Sequence, residues 1–407
     1  MSGWIFHGGR FLDPRQDELL DGLEVYIEGQ FVKEVSDRPI QSGVAQRVDL
    51  KGRTMMPGLI DAHAHVYLSD MDFRRFAELP LSLVTLRATR TMREMLRRGF
   101  TTVRDVAGGD LGIKTASDLD IVEGPRLSVA GRAISQTGGH GDFRRRTDDS
   151  STCSCCSGLA LTSRIADGVA EITHAVRDEL RRGADFIKIM VSGGVISQSD
   201  PLLSNQLNVD EIGVACRTAQ DWGTYVAAHA YAGTAIERAV THGVRTIEHG
   251  NFLTPEAAAK MKERGAFLVP TLVTYDAMRR RGNEFGLTEY SAEKNKTVLD
   301  AGFRAIETAL QAGVPIGLGT DLIGQLQDEQ SREFQLRREL QKPAEVMRSC
   351  LLINARILNQ EHKLGELVPG AHADFLVVDG DPLTDISVLC APDRILEIWR
   401  SGRRRLQ

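Results

Sequence analysis

The sequence predicts an α/β fold in which a (β/α)8 barrel carries a small β-sandwich domain. Three observations predict this fold. Strand-like and helix-like segments alternate through the middle of the chain, residues with metal-binding side chains follow several of the strand-like segments, and both ends of the chain are rich in short strands. Parallel barrels of this kind gather the side chains at the C-terminal ends of their strands at one mouth. We therefore expect one site at the barrel mouth.

The strands of the predicted barrel are apolar segments bounded by turn residues. They lie at 55–62, 101–105, 127–131, 185–190, 224–229, 244–248, 266–270 and 314–319. Amphipathic segments between and after them predict helices at 81–98, 166–183, 209–222, 233–242, 254–264, 293–312 and 343–358. Several of these helices are followed by a glycine, the residue that most often ends a helix. This alternation predicts a parallel sheet.

The two ends of the chain resemble each other in pattern. Residues 23–35 form two short strand-like runs around Gly29, and residues 373–382 and 395–403 are strand-like runs that lead into turns. We expect residues 1–57 and 363–407 to form one small β-sandwich domain. Residues 58–362 would then form the barrel.

Composition restricts the partners of the chain. Its 407 residues carry a formal net charge of −5, and their basic clusters are short, so neither nucleic acid nor a membrane is expected as a partner. No apolar run approaches the roughly 20 residues of a membrane helix, and we expect a cytoplasmic location. Cys153, Cys155 and Cys156 cluster in a polar segment. A reduced loop is their simplest interpretation, and a disulfide or small metal clip is the alternative.

His63 and His65 follow the first barrel strand. Side chains two positions apart on a strand share a face, so the two imidazoles could hold one metal ion. Two inert, hydrogen-bonded histidines are the alternative. Further candidate ligands stand at the ends of later strands, and they are Lys188, His229, His249 and Asp321. Ligands from separate strands converge in a barrel, which favours the metal site.

Lys188 is the unusual member of this set. A strand-end lysine can simply extend its ammonium to solvent. Within a metal site the ammonium would be repelled by the ions, so the amine would have to be neutral or modified. Reaction with carbon dioxide would convert it into a carbamate, whose two oxygens could bridge two ions.

The motifs resemble those of the binuclear amidohydrolase superfamily over essentially the whole chain. The resemblance is carried by Pro57-Gly58-Leu59-Ile60-Asp61-Ala62-His63-Ala64-His65, Lys188, His229, Glu248-His249-Gly250 and Gly319-Thr320-Asp321. Within that superfamily the chain is similar to the Xaa-Pro dipeptidases (prolidases) and basic-residue carboxypeptidases. The matching segments are Gln136-Thr137-Gly138-Gly139-His140-Gly141-Asp142, Lys188-Ile189-Met190-Val191-Ser192-Gly193-Gly194, Ala228-His229-Ala230-Tyr231 and Pro270-Thr271-Leu272.

The resemblance implies two divalent ions, expected to be zinc, and a carboxylated Lys188. The implied metal ligands are His63, His65, Lys188, His229, His249 and Asp321. A hydroxide that bridges the ions would attack the amide, and Asp321 would accept its proton and pass it to the departing amine. His140 would donate a hydrogen bond to the carbonyl oxygen. Ordering the glycine-rich turn is the alternative role for His140.

Four neighbouring features complete the predicted site. Tyr231 is a candidate for binding a carboxylate or carbonyl of the substrate, with a packing role as the alternative. The amides of Ser192-Gly193-Gly194 are a candidate anion-binding nest. Asp105 is expected to support the site from a loop, without binding metal. Glu248 should face the opposite side of its strand and pack outside the site.

The leading functional hypothesis is a zinc-dependent dipeptidase or carboxypeptidase that acts on L-Xaa-L-Pro-type dipeptides. One alternative is an amidase of N-acyl or aryl-acyl amino acids, including mycotoxin-type conjugates, or a promiscuous ester or organophosphate hydrolase. A non-catalytic scaffold homologue is the remote alternative. The expected partner is a small peptide or acyl-amino-acid substrate, and the resemblance implies a homo-oligomer.

Overall fold

The structure is a computed structural model that describes residues 3–144, 161–197 and 200–405. Cys153, Cys155 and Cys156 therefore lie outside the described residues. The strands are β1 Gly3–His7, β2 Arg10–Asp13, β3 Glu18–Leu20, β4 Glu24–Glu28, β5 Phe31–Ser36, β6 Gln46–Asp49, β7 Thr54–Pro57, β8 Leu59–Ala64, β9 Phe100–Asp105, β10 Arg126–Val129, β11 Ala133–Ser135, β12 Ser163–Ile165, β13 Ile187–Met190, β14 Val226–Ala232, β15 Thr246–Phe252, β16 Phe267–Val269, β17 Phe375–Val378, β18 Ile395–Arg400 and β19 Arg403–Arg405.

Helices occupy the segments between the barrel strands and after them. They are α1 Phe73–Ala77, α2 Leu81–Arg97, α3 Leu111–Asp118, α4 Gly168–Arg181, α5 Val209–Asp221, α6 Gly233–Thr241, α7 Pro255–Arg264, α8 Leu272–Arg281, α9 Glu289–Ala312, α10 Arg332–Arg337, α11 Pro343–Arg348 and α12 Asn354–Ile357. Short 3-10 segments occur at Gly282–Phe285, Gly324–Glu329, Ile386–Cys390 and Pro392–Arg394.

Local sequence signals explain where several of these helices begin and end. The Asn208 side chain accepts from the amides of Asp210 and Glu211 at the start of α5, and the Glu211 carboxylate reaches back to the Asn208 amide. This reciprocal capping satisfies amides that have no partner within the helix. Helix α7 is terminated by Gly265, the residue after its last turn, whose φ of 65° is the left-handed conformation favoured by glycine.

The middle of the chain forms the expected α/β barrel. Strands β8, β9 and β10 make one parallel sheet, and β11 and β13–β16 make a second, to which β12 adds an outer strand. The amide of Asp185 donates to the Val129 carbonyl at 2.8 Å, which joins β10 to the segment that enters β13. On the other side, Ile316 pairs with Leu268 of β16, and the Ala62 amide donates to Leu318 O at 2.9 Å. These contacts close the ring.

Two predicted barrel strands are irregular. The third, expected at 127–131, is split into β10 and β11 by a turn at Gly131, whose φ is 68°. The eighth, expected at 314–319, forms only an isolated bridge at Ile316. There the Asn354 side chain replaces part of the regular ladder, because its Nδ2 donates to Ile60 O at 2.7 Å and Leu318 O at 2.8 Å. Its Oδ1 accepts from the Leu318 amide at 3.0 Å.

The helix expected over 343–358 is also interrupted. It consists of α11, a π-helical turn at Ser349–Ile353, and α12. Asn354, whose side chain joins the two barrel segments, is the first residue of α12. The interruption therefore coincides with the point where this region contacts the barrel strands.

The two ends of the chain come together as two sheets with a shared core. Their strand orders are β5-β4-β1-β6 and β19-β18-β17-β7-β2-β3. The Phe6 ring lies 5.0 Å from that of Phe375 and 5.3 Å from that of Trp399, centroid to centroid. This arrangement is the expected small β sandwich. The division of the chain into domains at 57/58 and 362/363 stays a prediction.

A single glycine joins the sandwich to the barrel strand that carries the first two candidate ligands. Pro57 of β7 pairs with Phe375 of β17, and the Gly58 amide donates to Asp374 O at 2.9 Å. A Cβ at position 58 would lie 2.0 Å from the Thr101 Oγ1 atom, so a larger residue would displace β9. The base of β8 is thus held by residues more than 300 positions away in the sequence.

None of the helices in the described part of the chain is long and apolar enough to cross a membrane.

Candidate active site

The residues selected from the sequence line one cavity at the mouth of the barrel. They are His63, His65, His140, Lys188, His229, Tyr231, His249 and Asp321. Among them, His63, His249 and Asp321 present ligand atoms that all lie within 4.8 Å of one another. The structure therefore brings together side chains that are separated by up to 258 positions in the sequence.

Asp321 lies between three imidazoles. Its Oδ1 is 3.2 Å from His63 Nε2 and 3.0 Å from His65 Nε2, and its Oδ2 is 3.8 Å from His249 Nδ1. Burial raises the pKa of Asp321, but the interactions with His63, His65 and His249 outweigh burial and hold it well below its ordinary value. An ionised carboxylate beside imidazole nitrogens is a donor set that zinc and similar divalent ions accept.

Glu248 belongs to the site, and the prediction that it packs outside the site is wrong. It is fully buried, and its Oε2 lies 2.8 Å from His63 Nδ1 while its Oε1 lies 2.7 Å from the Arg104 guanidinium. Burial alone would raise the pKa of Glu248, yet Arg104 and His63 hold it well below its ordinary range. The Glu248 carboxylate can only accept a hydrogen bond, so the His63 proton is on Nδ1. The Nε2 lone pair of His63 is then left facing Asp321 and the cavity.

The backbone at His249 explains this error. His249 has a φ of 73°, so the regular alternation of faces along β15 ends there. Glu248 points into the barrel below the mouth, and His249 also reaches the cavity. Asp321 has a φ of 53°, which is again left-handed. Positive φ values in residues other than glycine are energetically unfavourable, and they concentrate at functional sites.

His229 and His249 form the second pair of imidazoles, with ring centroids 4.7 Å apart. Burial lowers the pKa of both well below the ordinary value, so both rings are neutral. His229 Nε2 lies 3.0 Å from Gly193 O, and His249 Nδ1 lies 2.8 Å from Thr271 Oγ1. These bonds orient the rings and leave one nitrogen of each available to a ligand.

Lys188 is buried on β13 with only 2% of its surface exposed, so the solvent-reaching interpretation is wrong. Burial lowers its pKa to about 8, although the charges of Glu248 and Asp321 raise it. The side chain lines the same cavity as the histidines. A buried amine with a lowered pKa is more often neutral than a surface lysine, and the neutral amine is the form that reacts with carbon dioxide.

His140 enters the cavity from the loop after β11. Its ring stacks on that of His229 with centroids 4.2 Å apart, and its Nδ1 lies 2.8 Å from Ser197 Oγ. The loop that carries Ser197 is fixed in turn by Lys294 of α9. The Lys294 Nζ atom donates to the carbonyls of Gly194 and Ser197, both at 2.9 Å, and to that of Asp200 at 2.8 Å. His140 is thus held on the cavity wall by the His229 ring and by a loop that α9 fixes in turn.

Tyr231 lies beside two of the candidate metal ligands. Its ring centroid is 4.7 Å from that of His229 and 5.5 Å from that of His249. Its hydroxyl is 2.8 Å from the hydroxyl of Tyr275, a fully buried residue of α8 that also lines the cavity.

The anion nest expected from Ser192-Gly193-Gly194 is not available. The Gly193 amide donates to Ser204 O at 3.2 Å, and the Gly194 amide donates to the Asp200 carboxylate at 3.0 Å. Both amides are therefore used to fold the loop. Asp105 has the supporting role that was expected, because its carboxylate accepts from the amides of Val66, Ala107 and Gly109.

The outer part of the cavity is apolar. Phe73 of α1 and Phe143 stack with centroids 4.6 Å apart and an interplanar angle of 22°. The other apolar lining residues are Leu68, Ala107, Met190, Val195, Ile196, Met278 and Ile323. The cavity thus combines a polar floor of candidate ligands with a wall suited to an apolar group.

Sequence reasoning missed Arg104, Tyr275, Phe73 and Phe143. Arg104 stands inside a predicted barrel strand, where a charged side chain could have suggested a buried ion pair. Tyr275 follows the recognised segment 270–272 by three residues, which is one helical turn. The two phenylalanines lie outside the barrel strands, and their pattern alone does not place them at the mouth.

Comparisons with known proteins agree with the geometry of the site. The model of the amidohydrolase family matches residues 54–405. The chain belongs to the amidohydrolase family. Ochratoxinase of Aspergillus niger is 30% identical to it over 372 residues, which cover 86% of this chain and 75% of the relative.

Solved amidohydrolase structures resemble the whole chain. A prolidase in complex with N-methylphosphonate-L-proline is 43% identical, with a TM-score of 0.96 over 99% of both chains. A Xaa-Pro dipeptidase with bound methionine is 28% identical, with a TM-score of 0.88 over 99% of both chains. The expected superfamily and its prolidase-like branch are confirmed. These relatives support an amidohydrolase that cleaves amide bonds.

Proposed function

We propose that the chain is a metal-dependent dipeptidase that hydrolyses L-Xaa-L-Pro-type dipeptides. The observation that carries this proposal is the single cavity in which the six candidate metal ligands meet His140 and Tyr231. The similarity to a prolidase in complex with a proline-containing phosphonate supports the choice of substrate.

The imidazole and carboxylate donors suit divalent ions, and we propose that the site holds two zinc ions. His63, His65 and Asp321 would hold one ion, His229 and His249 the other, and a carboxylated Lys188 would contribute to both. The buried position of Lys188 supports carboxylation, because an unmodified ammonium would repel the ions. When bound, such ions make water acidic enough to ionise near neutral pH and polarise a carbonyl group.

The chain's own residues would then manage protons and orientation. The ionised carboxylate of Asp321, of which 21% is exposed towards the cavity, would take a proton from the attacking water and deliver it to the leaving nitrogen. His140 would donate to the carbonyl oxygen as negative charge develops, a contribution typically of about 3–4 kcal/mol. Tyr231 would orient the substrate through its hydroxyl.

A second candidate function is an amidase of N-acyl or aryl-acyl amino acids. The stacked Phe73 and Phe143 and the apolar wall around them favour it, because they suit an aromatic acyl group. The relation to ochratoxinase supports the same candidate. Both functions would use the same candidate ligands on the cavity floor. They would differ in the part of the substrate that contacts the apolar wall.

The deciding experiment is amino-acid release from a dipeptide library and a matched series of N-acyl amino acids, with protein expressed with zinc and bicarbonate. Preferential release of proline from Xaa-Pro supports the dipeptidase. A kcat/KM at least tenfold higher for aryl-acyl amino acids would replace it with the amidase. An Asp321→Asn variant prepared in parallel is the control for contaminating peptidases, and release that persists in this variant would contradict both.

A further inference from the structure

The hydroxyl of Tyr231 is held by the hydroxyl of a second tyrosine. Its oxygen lies 2.8 Å from the Tyr275 hydroxyl. Tyr231 is 3% exposed and Tyr275 is fully buried, so water does not compete for these contacts. A phenolic oxygen has one proton to donate and two lone pairs to accept with.

The burial of Tyr275 indicates the direction of this hydrogen bond. Tyr275 is fully buried, and a buried hydroxyl proton without an acceptor is energetically unfavourable. The Tyr231 oxygen, 2.8 Å away, is an acceptor for that proton. Tyr231 lines the cavity beside His229 and His249, so its own proton can be donated to a bound ligand.

We propose that Tyr275 is a positioning residue that donates its proton to the Tyr231 oxygen, so that the Tyr231 hydroxyl is left to donate to an acceptor oxygen of the substrate. The proposal rests on the proposed function, because it assigns Tyr231 a substrate oxygen as its partner. It adds a role for Tyr275, which would act on the substrate oxygen through Tyr231.

The cavity lining explains why a fixed donor is needed. Among the described residues that line the cavity, Lys188 is the only lysine or arginine, and the proposed function makes it a carboxylated metal ligand. A substrate oxygen that does not contact the ions must therefore be bound by neutral donors. A tyrosine whose proton could instead turn towards Tyr275 would bind such an oxygen less well, because two acceptors would face each other.

The test is a double-mutant cycle of Tyr275→Phe and Tyr231→Phe in the metal-loaded protein, with Xaa-Pro and acyl-amino-acid substrates. Tyr275→Phe is expected to lower kcat/KM about tenfold, and to have less than a twofold effect when Tyr231 is already Phe. A rise in KM alone identifies the oxygen as a carboxylate, and a fall in kcat identifies it as the carbonyl. A Tyr275→Phe loss that persists undiminished in the Tyr231→Phe background, or no loss, overturns the proposal.

A matched control and a binding measurement separate this proposal from the proposed function. Tyr67 is a buried tyrosine outside the cavity lining, so Tyr67→Phe should leave kcat/KM unchanged within twofold. Calorimetric binding of N-acetyl-L-proline and its amide requires no turnover. If the wild type hydrolyses neither substrate class but binds a probe more tightly than Tyr275→Phe does, the proposed function fails and the positioning role stands. If the wild type binds neither probe and cleaves nothing, both fail.

Discussion

Replacing Glu248 with Gln should weaken both the fold and the metal site. The carboxylate is fully buried between His63 Nδ1 at 2.8 Å and the Arg104 guanidinium at 2.7 Å, and Arg104 is itself fully buried. Gln keeps the shape but leaves the buried cation without a counter-charge, a change that typically costs about 3–5 kcal/mol of unfolding free energy. Loss of the carboxylate behind a histidine ligand typically weakens metal binding about 10–100-fold.

Two assays measure these effects separately. Denaturant unfolding of the metal-free protein, followed by circular dichroism, measures the change in unfolding free energy. Zinc titration against a competing chelator reports affinity without any need for turnover. Glu263→Gln is the matched control, because the Glu263 side chain is 57% exposed and pairs with the neighbouring residues Lys260 and Arg264. It should leave the unfolding free energy unchanged within the error of the titration.

A second substitution tests the role of Arg104. Combining Glu248→Gln with Arg104→Met removes the uncompensated charge and should recover part of the lost stability, while zinc affinity stays low because His63 still lacks its carboxylate partner. Glu248→Gln protein that unfolds within about 1 kcal/mol of the wild type and retains its zinc affinity would refute this account.

Three other perturbations have defined outcomes. Asp321→Asn should lower kcat at least about 100-fold while the circular dichroism spectrum is unchanged; comparable turnover would exclude a proton-transfer role. Phe73→Ala should raise KM for aromatic acyl or aromatic Xaa substrates about tenfold in steady-state assays, and should leave KM for Gly-Pro unchanged. An equal rise in KM for both substrates would show that Phe73 does not select aromatic groups. Burial raises the pKa of Glu333 to about 8 despite the opposing effect of Arg337, so the folded state retains a proton that the unfolded state loses above about pH 4.5. Wild-type stability should therefore fall as pH rises from about 4.5 to about 8, and Glu333→Gln should remove that part of the slope in denaturant titrations at several pH values; an identical slope would contradict the assignment.

Periodicity and residue chemistry were sufficient to predict the barrel and the convergence of its ligands. Apolar runs followed by His63, His229 or His249 are local signals, and the rule that parallel strands end at one mouth converts them into a three-dimensional expectation. The β sandwich was predictable for the same reason, because short strands at both ends of the chain need partners.

The errors arose where the backbone departs from regular geometry. Alternation along a strand assigned Glu248 to the wrong face, because the left-handed conformation at His249 cannot be read from the sequence. The eighth strand was expected to form a regular ladder, but the Asn354 side chain takes the place of several backbone bonds. The partners of Tyr231 were missed because their contacts are tertiary and leave no periodic pattern.

The link between β7 and β17 has a consequence for synthesis of the protein. His63 lies on, and His65 directly follows, a strand whose base is held by Phe375 and the Asp374 carbonyl, so this strand cannot reach its final position during synthesis until residue 375 has left the ribosome. A nascent barrel would carry its histidines without their final spacing. Metal capture should accordingly follow the docking of β17, and should be governed by the metals present where that step of folding occurs.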